Sequence, residues 1–257
     1  MRVRGRLRRE KTEKSPPVEK DGLRSPEMIH ANCRARFTAD DFDFIIRALS
    51  RSDRDSLSLQ KLLIDADARD EILEHDALAE AILESADSLR ISTHLYFYVL
   101  CRKVLKNTAV SSRDAADYIA ALLDAFSHTA RMQRTGSSQK TDLRYLSDIL
   151  IALRNATPSE AFLLRSHLAN TALFLTGIFA ENIDKRARRG APDLSFYEDL
   201  GRASYRSAAD HRDARRFDLQ KIYRELADGF QEARLALNDL AGRLLHLEAP
   251  ITPPTFG

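Results

Sequence analysis

The chain has 257 residues, 44% hydrophobic and 30% charged, with 9 Gly, 8 Pro and 2 Cys. Such a length supports a sizeable buried core, and so few turn formers exclude a turn-rich β protein and favour an all-α fold. Two cysteines, Cys33 and Cys101, exclude a disulfide framework. The N-terminus lacks the apolar centre of a signal peptide, so a reducing cytoplasm is the expected home.

The formal net charge of +2 conceals a segregation. Residues 1–27 carry nine Lys/Arg against five Asp/Glu, and residues 185–216 carry the same, so each segment is +4 and the rest of the chain is −6. A cationic excess of this kind suits an anionic partner, and it equally suits solvated charge or pairing with the acidic remainder.

Residues 1–34 contain few large apolar side chains and cluster arginines at the start, which predicts a disordered basic tail. Met28, at the compositional break, is an alternative translation start. Residues 35–249 read as one helical domain, with the loop RTGSSQKT at 134–141 as its main internal punctuation. A capping-box pair, Thr38 and Asp41, flanked by Phe37 and Phe42 at staple positions, predicts a helix to about residue 51. Shorter amphipathic pieces follow around 57–64 and 69–86, with a break or cap at Asp76. The run LYFYVLC, ending at Cys101, lies in a stretch without Gly or Pro too long for a strand, which predicts a buried helix. Ser111 and Asp114 open a periodic helix through Phe126, and another covers 142–154.

Residues 158–180, PSEAFLLRSHLANTALFLTGIFA, form the longest near-continuous apolar helical run. Thr157, Pro158 and Glu160 mark its start. Its apolar residues cover more than one face, which predicts a central helix buried on most sides. Arg165, His167, Asn170 and Thr171 interrupt it too soon for a membrane span of about 20 apolar residues. A basic connector at 181–192 leads to a helix capped by Ser195 and Glu198, thin on one side through Gly201, Ala203, Ser204, Ala208 and Ala209. Leucines and other apolar residues from Leu219 to Leu247 then recur at threes and fours, predicting one long C-terminal helix over 213–247. Residues 250–257 read as an extended tail. The expected architecture is a bundle of about eight to nine helices.

Lys185, Arg186, Arg188, Arg189, Arg202, Arg206 and Arg212 are the candidate nucleic-acid contacts, because guanidinium and ammonium groups on one face release counterions from a phosphate backbone. His167 and Asn170, polar and one turn apart on the buried run, with Tyr197, are the candidate lining of a ligand pocket. Neither HExxH nor CxxC occurs, so no metal site, cofactor or catalytic residue is assigned. The reading that follows is a helical protein-interaction or regulatory module, monomeric rather than homodimeric, with a protein partner of unknown identity. Its alternatives are a nucleic-acid-associated protein using residues 185–216, and a helical enzyme or small-ligand binder with a pocket near His167.

Overall fold

A computed structural model describes residues 28–84, 90–135 and 142–247, with side chains described except at 128–135, 142–145 and 243–247. After a 3₁₀ turn at Arg34–Arg36, the described residues form thirteen α-helices and no strand. The first four, α1 (Ala39–Leu49), α2 (Asp53–Leu62), α3 (Ala66–Leu73) and α4 (Asp76–Glu84), are short. Longer helices follow in α5 (Thr93–Leu105), α6 (Arg113–Thr135), α7 (Asp142–Leu153) and α8 (Pro158–Ile178). The chain closes through α9 (Ala180–Ala187), α10 (Leu194–Ala209), α11 (Arg212–Arg216), α12 (Gln220–Asp228) and α13 (Phe230–Leu247).

Local chemistry explains these starts. Thr38 and Asp41 form a reciprocal capping box on α1, and Phe37 meets Phe42 edge-on at 6.4 Å. Asp41 also accepts from the backbone N–H and the hydroxyl of Ser92, both at 2.7 Å, so one buried carboxylate ties the N-terminus of α1 to that of α5. Thr157 and Glu160 form the equivalent box on α8. Glu225 of α12 accepts from the backbone N–H and the hydroxyl of Ser112, the side chain of which caps α6 in place of the expected Ser111. Asp193, two residues before the expected Ser195, caps α10 by accepting from the Phe196 N–H at 3.0 Å.

Two apolar cores meet on α8. Phe162, Ala169, Ala172 and Leu173 belong to the larger one, built with α1, α3 to α6 and α10 to α13. Leu164, Leu168 and Leu175 belong to the smaller, with Leu146 and Ile149 of α7, Ile183 of α9 and Tyr197 of α10. Each fully buried Leu or Phe contributes about 1.5–3 kcal/mol of transfer free energy. α8 ends at Phe179, where the chain bends by 91° into α9.

Three expectations are corrected. Helices are shorter and more numerous than the eight or nine expected, because the 69–86 stretch divides at Asp76 into α3 and α4, the basic connector itself contains α9, and the 213–247 stretch divides into α11, α12 and α13. The breaks fall at Asp218, in the left-handed region at φ 56°, and at Gly229. The expected disordered tail reaches too far, since Cys33 is fully buried and Met28, Ile29 and Ala31 pack on the larger core. Residues 1–27, most of the 134–141 loop and the 250–257 tail lie outside the described residues.

Candidate functional site

The residues expected to line a pocket are not brought together. Asn170 faces the larger core, where its Oδ1 accepts from the hydroxyls of Tyr118 at 2.9 Å and Tyr205 at 2.7 Å. The Tyr223 hydroxyl lies 3.3 Å from that of Tyr118. Burial pushes all three phenols up from their ordinary range. Tyr197 sits in the smaller core. His167 stacks on Phe126 at 6.1 Å, and burial pushes its imidazole down to about 4. It is therefore neutral near pH 7. The clefts beside the start of α10 and beside α11 are lined by other residues.

The basic segment is divided as well. Lys185, Arg188 and Arg189 are exposed at the end of α9, next to the start of α10, whereas Arg212, Arg215 and Arg216 are exposed on α11, beyond the end of α10. A 16-residue helix separates the groups by about 24 Å. Between them, Arg202 places its Nε in a buried position without a hydrogen-bond partner among the described residues. Arg206 pairs with Asp228 at 3.0 Å, and Lys185 pairs with Glu181 at 3.5 Å. Arg186 is half-buried. Lys185 and Arg186 also stand in the last turn of α9, where cations offset the negative end of the helix dipole.

Sequence reasoning missed an ionic cluster that docks the N-terminal strap. Arg34 reaches Asp70 at 3.2 Å, Asp114 at 2.8 Å and Asp117 at 3.3 Å, with its guanidinium 5.6 Å from the Tyr98 ring centroid. Arg113 joins Glu74 at 2.7 Å, and Arg102 joins the same carboxylate at 3.0 Å. Burial raises the Asp117 carboxyl against the opposing pull of Arg34, while the hydrogen bonds from Arg102 and Arg113 outweigh burial and hold Glu74 below its usual range. Only the i, i+4 spacing of Asp70 and Glu74 hinted at a shared face. Beneath the strap, burial pushes the Cys33 thiol up to about 12 and raises Cys101 as well, so both stay protonated and unreactive.

Comparison of the chain with protein-family models, with curated proteins and with solved structures finds no match. Among the described residues, no group of three or more His, Cys, Asp or Glu side chains is placed to hold a metal ion. No single helix there is long and apolar enough to cross a membrane.

Among the described residues, several large apolar side chains stay exposed, and three of them fall close together in the chain around α2. None of the residues of α2 is buried, and its main packing is against α1. Leu57 at 60%, Leu62 at 48% and Ile64 at 83% exposure stand within eight residues of one another. Residues 53–67 around them carry Asp53, Asp55, Asp65 and Asp67 against Arg54 and Lys61.

Proposed function

We propose that this chain is a helical protein-interaction or regulatory module that engages a partner protein through α2 and the turn that follows it. The exposure of Leu57 and Leu62 on an element with no buried residue, and of Ile64 in the turn just after it, carries the reading. Large apolar side chains gathered this closely mark association surfaces more often than solvent-facing decoration. The acidic surround specifies the partner's chemistry: an amphipathic helix presenting apolar anchors flanked by Lys or Arg, which complementary charge steers and orients.

The test compares the intact chain with its Leu57→Ser/Leu62→Ser/Ile64→Ser variant as baits in the native host, scored by quantitative mass spectrometry. The expected result is a protein enriched by the wild type and lost with the variant. Once purified, that protein should bind the wild-type chain at least about tenfold more tightly, a difference of about 1.4 kcal/mol. The variant should melt within a few degrees of the wild type, because Ile64 is mostly exposed and Leu57 and Leu62 are only partly covered. Equal binding by both chains would refute the assignment of the face.

A further inference from the structure

A second surface, on other residues, has a different chemistry. α11 exposes three arginines within five residues: Arg212, with 78% of its side chain accessible, Arg215 and Arg216. The neighbouring cations are partnered, Arg206 by Asp228 at 3.0 Å and Arg224 by Asp210 at 3.5 Å. Asp213 is buried, lies 3.7 Å from Arg212 and 3.5 Å from His211, and offers α11 a single internal carboxylate for its three guanidinium groups. α11 carries three arginines against Asp213, and the other basic group of residues 185–216, Lys185, Arg186, Arg188 and Arg189, stands at the far end of α10.

Arg212 and Arg216 stand at the mouth of a cleft of about 410 Å³ whose apolar walls are Met28, Phe162, Leu163 and Phe217, with Ser159 and Asp213 as its polar members. That volume falls in the range of about 300–1,000 Å³ typical of small-molecule sites. The Arg216 guanidinium lies 5.3 Å from the Phe217 ring centroid, and His30 meets the same ring edge-on at 6.0 Å. Stacked guanidinium and aromatic planes over an apolar recess are what an unpaired nucleobase binds. Arg212 and Arg216 stand one helical turn apart on α11, with Cβ atoms about 5–6 Å from each other, so both can reach phosphates of one strand.

We propose that the α11 cleft is a binding site for single-stranded nucleic acid, with a base against Phe217 and Leu163 and backbone phosphates on Arg212 and Arg216. A duplex keeps its bases stacked and cannot fill the recess. An anionic membrane surface would be served as well by lysine and by a protruding apolar wedge, and this site has arginines and a hollow.

The experiment is fluorescence anisotropy of the full chain with a labelled oligouridylate of about 20 nucleotides, titrated between about 50 and 200 mM salt. Binding should weaken with salt, and Arg212→Gln/Arg216→Gln should lower affinity at low salt about tenfold and make the log–log slope shallower by about 1.4, at about 0.7 for each lost phosphate contact. Lys185→Gln/Arg188→Gln/Arg189→Gln, at the far end of α10, should leave both within about twofold, as the counterion-release term is local to contacted phosphates. Both variants change exposed side chains and should retain the wild-type melting temperature, which circular dichroism checks. The proposal is overturned by an Arg212/Arg216 variant with unchanged affinity and slope, by a duplex binding as tightly as the single strand, or by phosphatidylserine vesicles binding with higher affinity than the oligonucleotide. Each result is independent of the α2 variant, whose serines lie outside this cleft.

Discussion

Gly201 lies where α10 meets α8 and α13, and adding one methyl group there tests the packing of all three. An ideal Cβ at this position falls 2.5 Å from Phe230 Cε2 and 3.1 Å from Ala172 Cβ, and still closer to Phe230 Cζ. Phe230 is fully buried, so its ring cannot swing into solvent to make room. Two effects oppose each other in Gly201→Ala. Helix propensity favours alanine by about 1 kcal/mol, whereas overpacking a rigid core costs about 1–3 kcal/mol, and a contact this short belongs at or beyond the upper end. The net expectation is a loss of about 2 kcal/mol, or about 4–8 °C in melting temperature for a chain of this size. Gly242 on α13 supplies the control, because nothing lies within 4 Å of a Cβ built there. Gly242→Ala should therefore gain about 1 kcal/mol and rise by about 2–4 °C. Chemical denaturation midpoints measure both, and Phe230→Leu should recover part of the Gly201→Ala deficit by clearing the clash. A Gly201→Ala protein as stable as the wild type would mean that α10 does not approach α13 this closely.

Asn170→Leu removes the acceptor shared by the Tyr118 and Tyr205 hydroxyls and should cost about 2–4 kcal/mol in urea unfolding. Adding Tyr118→Phe and Tyr205→Phe to that variant should return part of the loss, because the two hydroxyls that lost their shared acceptor are then removed. Arg34→Gln strips the buried Asp117 of its cation and should cost about 3 kcal/mol at pH 7, a deficit that shrinks in acid as the carboxyl takes up a proton. His167 lies below its unfolded value of 6.5, so the unfolded chain binds the extra proton between pH 6.5 and about 4. Its contribution to stability is complete above pH 6.5, falls as pH drops toward 4, and amounts to at most about 3 kcal/mol; a pH series on His167→Gln should lack that component. Leu226 is fully buried within the chain, so light scattering should give a monomer near 29.1 kDa, and Leu226→Asp should unfold it rather than dissociate a dimer.

Helix starts were legible where side chains close a local circuit. Thr38 with Asp41 and Thr157 with Glu160 reveal themselves by a three-residue spacing that needs no tertiary information. At α10 the same rule misplaces the cap, because Ser195 with Glu198 satisfies the spacing while Asp193 does the capping. Ionic and polar clusters were not legible at all. Arg34 lies 83 residues from Asp117, and Asn170 lies 52 from Tyr118 and 35 from Tyr205, so no window of the chain contains both partners. The charge excess of 185–216 was legible as a sum but not as a shape, since α10 carries its two ends apart.

Helix ends show most plainly where pattern reading stops. α9 closes when Gly190, at φ 88°, lets the Ala191 N–H donate back to the Arg186 carbonyl at 3.2 Å and its own N–H donate to Ala187 at 3.0 Å. α11 closes with the same pair of bonds, Leu219 N–H to the Ala214 carbonyl at 2.7 Å and Asp218 N–H to Arg215 at 3.3 Å. The backbone event is identical and the residue is not. Glycine at the first site announces a left-handed position, followed by a proline that forbids continuation, whereas Asp218 pays about 1 kcal/mol or more for that conformation and gives no signal in composition. The apolar spacing of threes and fours runs straight through this break, because Leu219, Ile222, Leu226, Phe230, Ala233, Leu237 and Leu240 are all buried by the same core. A periodicity set by one continuous core constrains which face turns inward, and it leaves open whether one rod or three segments present it. The break at Asp218 sets α11 apart from α12, and Arg212 and Arg216 line the cleft together with Met28 and Phe217.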